Sequence, residues 1–371
     1  RERNQKSGLL AAFIFLTGAE VYLIGTYSAL DSMVASFITL SLCCFYPALS
    51  AEGRRKAGWL LLTGLFAGCA FLVKGFLSIA IPVMVIAPFL LLQKRWKDLW
   101  IMPWLPLIGI LAISLPWSIA VALRESDYWN YFFFEEHIHR FFAKGEAEHS
   151  EPFWYFIPVL LLGALPWSLI APIPLFKTVK ERWSDPLVRF CSIWFIFPFL
   201  FFSASSGKLG TYILPCFPPL AVLLALGLTD HEKALPEKPF KIGAWILISI
   251  FSIAFIGLGL TALLPIESAK IYASFEQYKY WILLAALALS AGLAFASLRQ
   301  KASSSRFVCF GLALATGLVG FQFSIPESHS VSVSMDAFLT KQQQHLPPDA
   351  LVVADTRTFT GVGFILGRSD A

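Results

Sequence analysis

The sequence predicts an all-α polytopic membrane protein, and three observations predict it. About eleven long apolar stretches divide the 371 residues. Only 14% of the residues are charged, against about 25% in a soluble domain, so most of the surface is built to face lipid. Lys and Arg collect in every second gap: segments 1–7, 50–57, 93–98, 176–189, 229–241 and 299–306 hold 19 of the 29 basic residues. The intervening gaps are short, aromatic and of mixed charge. That alternation is the positive-inside pattern and sets the orientation, with the basic gaps cytoplasmic. The net charge of +5 is spread thinly over these gaps, which fits anionic lipid headgroups and not nucleic acid.

A spanning helix needs about 20 apolar residues. The expected spans are 8–28, 32–49, 58–73, 75–92, 99–122, 153–175, 187–204, 210–228, 242–264, 280–298 and 307–325. The third and fourth are separated by little more than Lys74-Gly75, which predicts a tight helical hairpin. Pro82, Pro116, Pro166 and Pro198 fall inside spans, where neighbouring helices can re-satisfy freed backbone groups. Residues 1–325 are thus expected to form the transmembrane domain. Residues 326–371 are expected to begin an extracytoplasmic α/β or α+β domain, with a strand at Leu351–Ala354. The chain opens at Arg1 within a basic gap, and both ends are read as cut from a longer protein. Cys43, Cys44, Cys69, Cys191, Cys216 and Cys309 all lie in apolar runs, without metal-ligand spacing, and read as small buried hydrophobes.

The side away from the cytoplasm carries the polar residues of interest. Asp31 stands at the outer end of the first hairpin, either as a helix cap or as an anchor for a basic group. Lys74 lies on the outer side, against the positive-inside bias. It reads either as a snorkelling lysine or as a phosphate contact at headgroup level. In the loop 123–152, Glu136, His137 and Arg140 share one side of an aromatic-rich helix that is suited to the interface plane. A Glu-His pair beside an Arg can take a metal or an anion, though two adjacent ligands are a weak metal signal. Ser206-Gly-Lys208-Leu-Gly-Thr-Tyr212 places another lysine at a boundary; its spacing is not that of a Walker loop, and it faces away from cytoplasmic ATP. Together Asp31, Lys74, His137, Arg140, Lys208 and Tyr212 fit a substrate with a phosphate at the headgroups and a long apolar tail. A transporter would need polar residues at mid-bilayer and paired broken helices, and no internal repeat is present.

The motifs Val73-Lys-Gly-Phe-Leu77, Gln93-Lys-Arg-Trp-Lys-Asp-Leu99, Tyr131-Phe-Phe-Phe-Glu-Glu-His-Ile-His-Arg-Phe141, Pro152-Phe-Trp-Tyr155 and Gly207-Lys-Leu-Gly-Thr-Tyr-Ile-Leu214 carry a family resemblance. From about residue 20 to 330 the chain resembles the bacterial 4-amino-4-deoxy-L-arabinose (aminoarabinose) lipid A transferases. These belong to the superfamily of protein O-mannosyltransferases with the GT-C glycosyltransferase fold. The resemblance implies an inner-membrane enzyme whose active site faces the periplasm, moving a sugar from undecaprenyl phosphate to a phosphate of lipid A. It implies catalytic roles for Asp31, as the family's second outer-side aspartate, and for Lys74, near the donor phosphate. It places His137, with Glu136, at a divalent metal, zinc by family, and Tyr212 in the lining of the donor site. Arg140 and Lys208 would be anion contacts. The family's Asp-Glu motif of the first periplasmic loop does not occur before the first span, so the chain alone is expected to lack a general base and to be inactive. A transferase of the same family acting on a protein or another envelope glycan is the alternative.

Overall fold

The computed structural model describes residues 5–27, 29–125, 127–134, 151–170, 172–230, 237–263, 272, 274–327 and 339–340. Every regular element among them is helical. The chain runs through α1 (Gln5–Leu16), α2 (Ala19–Thr26), α3 (Leu30–Ala48), α4 (Gly53–Lys74), α5 (Leu77–Leu92), α6 (Trp96–Ile101), α7 (Trp104–Arg124) and α8 (Tyr128–Asn130). It continues through α9 (Phe156–Gly163), α10 (Pro172–Glu181), α11 (Pro186–Ala204), α12 (Phe217–Asp230), α13 (Glu237–Leu263), α14 (Gln277–Arg299) and α15 (Ser303–Phe323). The described chain separates into two compact units, 1–247 with 293–315, and 248–292 with 316–371.

Among the described residues, eight helices or helix pairs are long and apolar enough to cross a membrane, and the bent pair α1–α2 makes nine. Many large apolar side chains point outward, Leu123 at 85% exposure and Ile253 at 70%, as a lipid-facing surface requires. The chain is a multi-pass membrane protein.

Two of the eleven expected spans differ. The stretch 75–92 forms α5, of 16 residues, shorter than a full crossing. The stretch 153–175 is not one helix: α9 ends at Gly163, a 3-10 turn covers Trp167–Leu169, and α10 starts at Pro172. Pro166 and Pro172 remove amide donors where the ladder would have to continue. At Pro82, Pro116 and Pro198, by contrast, the helix carries on through the proline.

The first span is also broken, by 59° between α1 and α2 at Thr17-Gly18. The two breaks meet. The Ala19 amide donates to the Leu165 carbonyl at 3.0 Å, and Trp167 Nε1 donates to Thr17 Oγ1 at 3.0 Å. An amide of one break and an indole N–H of the other thus find their partners across the crossing, as non-helical backbone buried in protein at membrane depth requires. Around this crossing Trp167 is fully buried and packs edge-on against Phe13 and Phe310.

Helix contacts in the first unit use small residues. A side chain at Gly64 would meet the Pro106 carbonyl at 2.0 Å, and one at Gly109 would meet the Leu61 carbonyl at 2.7 Å, so α4 and α7 touch backbone to backbone. Lipid provides no hydrophobic drive between helices, and close small-residue packing replaces it. Ser41 on α3 donates to the Thr63 carbonyl of α4 at 2.8 Å across the neighbouring seam. In the second unit, Gly320 lies against Ala286 and Gly317 against Phe251 in the same manner. There, too, Lys279 pairs with the buried Glu276 at 2.5 Å, whose Oε1 also accepts the Glu327 amide at 2.8 Å.

The six cysteines are free thiols on helices or, for Cys216, at a helix start. Cys44, Cys191 and Cys216 are buried as expected, whereas Cys43 is exposed on α3. The strand expected at 351–354, and nearly all of 326–371, lie outside the described residues.

Candidate active site

Three segments distant in sequence meet at the start of α3 and the end of α4. Asp31 stands in the first turn of α3, where Ala29 takes the cap position without a side-chain bond. Asp31 is therefore not a cap. Its Oδ1 pairs with the Lys74 ammonium, and its Oδ2 accepts from Thr211 Oγ1 at 2.7 Å. Lys74 is the last residue of α4, and Gly75 follows at φ 71°, a backbone region that glycine enters without a Cβ penalty. That reversal ends the helix so that the lysine faces back across α3. Its Nζ lies 4.4 Å from the centre of the Tyr212 ring. An ammonium over an aromatic face is attracted by the ring quadrupole. Tyr212 and Thr211 are held by the 3-10 segment Gly210–Cys216, which packs against α3 and α11.

Asp31 thus pairs with Lys74 instead of capping α3. The carboxylate and ammonium retain side-chain exposures of 17% and 30%, so the pair stays within reach of a ligand. A carboxylate, an ammonium, a hydroxyl and an aromatic face converge within one small volume. Such a set can bind a phosphate through the cation while the carboxylate orients that cation.

An aromatic layer frames this group. Phe76, just after the reversal, packs on Phe71 at 5.2 Å, on Phe132 at 6.0 Å and on Phe133 at 5.7 Å. Phe132 stacks on Tyr128, which meets Trp117 edge-on. The beginning of the loop 123–152 is therefore docked beside the Lys74 turn. Glu136, His137 and Arg140 lie outside the described residues. No group of three or more His, Cys, Asp or Glu able to hold a metal occurs among the described residues.

Lys208 is placed differently from Lys74. It is buried, at 4% exposure, and its Nζ donates to the carbonyls of Ser205 at 2.6 Å and Glu151 at 2.7 Å. Its ammonium fastens the loop that carries Thr211 and Tyr212. Thr211 had no signal in sequence: a lone threonine after glycine is unremarkable until the fold brings Asp31 to it. Glu20 was visible as a charge within an apolar run, and it too comes close, its carboxylate lying against Gly163 and Gly210.

By sequence and fold, this all-helical bundle with broken spans and a cation–carboxylate pair between α3 and α4 is similar to membrane glycosyltransferases of GT-C fold. The family described as dolichyl-phosphate-mannose-protein mannosyltransferase matches residues 2–132. The undecaprenyl phosphate-alpha-4-amino-4-deoxy-L-arabinose arabinosyl transferase of Yersinia pestis (strain Pestoides F) is 36% identical over 376 aligned residues, covering 99% of this chain and 66% of that protein. The protein of the same name from Shewanella sediminis (strain HAW-EB3) is 37% identical over 360 residues, covering 96% of this chain and 64% of its own length. The crystal structure of ArnT from Cupriavidus metallidurans bound to undecaprenyl phosphate superposes with a TM-score of 0.72 at 22% identity, covering 98% of this chain and 66% of that one. The chain belongs to the family of these arabinosyl transferases and has their fold. It spans about two thirds of the length of the curated relatives it matches, 66% and 64% for the two described.

Proposed function

We propose that this chain carries the greater part of an inner-membrane glycosyltransferase. The enzyme moves 4-amino-4-deoxy-L-arabinose from undecaprenyl phosphate to a phosphate of lipid A, with its active site facing the periplasm. The observation that carries the reading is the Lys74 ammonium, paired with Asp31 and seated on Tyr212 at the outer end of α4. The names of the relatives supply the donor sugar and its lipid carrier.

The chemistry follows from the arrangement. An oxygen of the acceptor phosphate forms a bond to the anomeric carbon of the sugar. The bond from that carbon to the donor phosphate oxygen breaks, and undecaprenyl phosphate leaves with the electron pair. Negative charge grows on the leaving phosphate, and a fixed cation beside it lowers the barrier. Lys74 is that cation. Asp31 and Tyr212 hold it in place before the donor arrives, so little reorganisation is needed in the reaction. The acceptor phosphate is already ionised and needs no base from Asp31. Lys208 contributes by holding the Tyr212 loop, and Arg140 adds a further anion contact. A divalent ion held by Glu136 and His137, zinc by ligand type, belongs to the same reading. Residues 326–371 open a periplasmic domain in this scheme.

The test is mass spectrometry of lipid A in a strain lacking its own transferase. Expression of the full-length protein should add aminoarabinose and raise polymyxin resistance. Unmodified lipid A, at confirmed membrane expression, refutes the acceptor assignment. The match of residues 2–132 to protein mannosyltransferases favours a second reading, transfer to a protein hydroxyl. Sugar on envelope protein instead of lipid A would establish it.

A further inference from the structure

Glu20 is the only charged residue in the apolar stretch 8–28. It lies in the first turn of α2, six residues before Thr26, hence about 9 Å below the outer end of that helix at about 1.5 Å per residue. An acid in a first helical turn interacts favourably with the helix dipole, but that gain is smaller than the cost of an unpaired charge at membrane depth. No hydrogen bond or ion pair among the described residues holds its carboxylate. The elements that pack most against α2 among the described residues are α1, α3, α9 and the 210–216 segment. Their charged side chains are Lys6, at the far end of α1, and Asp31, already engaged by Lys74 and Thr211; the 210–216 segment adds the phenol of Tyr212.

The surroundings leave room for the carboxylate. A Cβ on Gly163 would stand 2.7 Å from Glu20 Cβ and 3.1 Å from its Oε2, and one on Gly210 would stand 3.9 Å from its Oε1. Two glycines therefore form a notch with the carboxylate in it. Gly210 is bonded to Thr211, and Thr211 is bonded to Asp31 of the lysine pair. Glu20 is thus linked to the Lys74–Asp31 pair through the two adjacent residues Gly210 and Thr211.

We propose that Glu20 is a specificity-determining substrate contact, a subsite that takes the protonated amino group of the donor sugar. With the donor phosphate at Lys74, the ring lies along Gly210 and Thr211, and the ammonium donates hydrogen bonds to the Glu20 carboxylate. This inference rests on the donor assigned under the proposed function. Ligand and protein then neutralise each other, and neither charge is left unpaired below the headgroups. A neutral or N-acylated sugar leaves the carboxylate unpaired and is rejected, as sites built for a polar group reject analogues lacking it.

The experiment compares two donors on full-length protein in lipid nanodiscs with lipid A as acceptor: undecaprenyl phosphate bearing the amino pentose, and the same lipid bearing its N-acetyl derivative. The wild type should prefer the amino donor by about tenfold or more in kcat/KM, the scale of a charged hydrogen bond. Glu20→Gln should raise KM for the amino donor by a similar factor and leave the N-acetyl donor unaffected; Glu20→Asp should retain part of the preference. Equal use of both donors by the wild type overturns the subsite without any variant. Equal loss of both donors in Glu20→Gln also overturns it, since a packing role alone would do that. Transfer from neither donor by the wild type overturns the proposed function itself, a different outcome from either.

Discussion

Lys74 and Asp31 form a pair whose members have different chemical duties. A partly exposed ion pair contributes little to folding, at most about 1 kcal/mol. Its value lies in position: the cation is held by a carboxylate, a ring face and the end of a helix. Lys74→Ala should therefore leave expression and thermal unfolding nearly unchanged while reducing transfer about tenfold or more, because a charged hydrogen bond to the leaving phosphate contributes about 1.5–3 kcal/mol. Wild-type transfer in that variant at equal expression would make the residue structural. Asp31→Asn keeps the bond from Thr211 but loses the ion pair, so activity should fall while Thr211→Val, which removes only the hydroxyl, falls less. Lipid A modification measured by mass spectrometry ranks the three. At His137, the expected outcome is loss of bound metal in His137→Ala, measured by elemental analysis of purified protein. Unchanged metal content would leave that residue to the interfacial helix expected from its aromatic neighbours.

At the scale of elements, the contact of α4 with α7 tests how the bundle is held. Gly64 has no room for a Cβ, which would fall 2.0 Å from the Pro106 carbonyl oxygen, whereas Gly257 and Gly259 on α13 have nothing within 4 Å. Gly64→Val should destabilise the protein by at least the 1–3 kcal/mol, roughly, of an overpacked core, because backbone and not a flexible side chain must give way. Gly257→Ala should be neutral or stabilising by about 0.5–1 kcal/mol, since alanine is the better helix former. Thermal unfolding in detergent, read by loss of monodisperse protein, compares the two. An equal melting temperature for Gly64→Val would mean that α4 and α7 are not packed backbone to backbone. The broken elements have their own logic: α1–α2 and the 163–172 stretch interrupt their ladders where each can satisfy the other, through Ala19 to Leu165 and Trp167 to Thr17.

For the molecule as a whole, the alternation of basic gaps sets a sidedness that labelling can read. With the native cysteines replaced, single cysteines at positions 97 and 180 should react only from the cytoplasmic side, and at 145 and 270 only from the periplasmic side. Labelling of position 145 from the cytoplasm would invert the orientation and remove Lys74 from the periplasmic face. Nine of the eleven apolar stretches are legible in sequence and return as spans, with α1–α2 taken as one. Each is a local property, since a helix in lipid must satisfy its own backbone and the hydropathy of some 20 consecutive residues decides it. The polar residues at the outer edge were legible as candidates for the same reason: a charge at a lipid boundary stands out against its apolar neighbours. What joins them was not legible. Asp31 meets Lys74 across 43 residues and Thr211 across 180, and no pattern within a single segment encodes such a meeting. The sequence by itself determined that the chain crosses a membrane many times and which family it belongs to, and it set the expected orientation that the labelling tests. Only the tertiary structure decided that 153–175 breaks, that Asp31 serves Lys74 instead of capping α3, that Lys208 holds a loop, and that Glu20 lies beside the same site. Those outcomes depend on which helices share a seam, a question of close packing between distant segments that hydropathy along one of them does not contain.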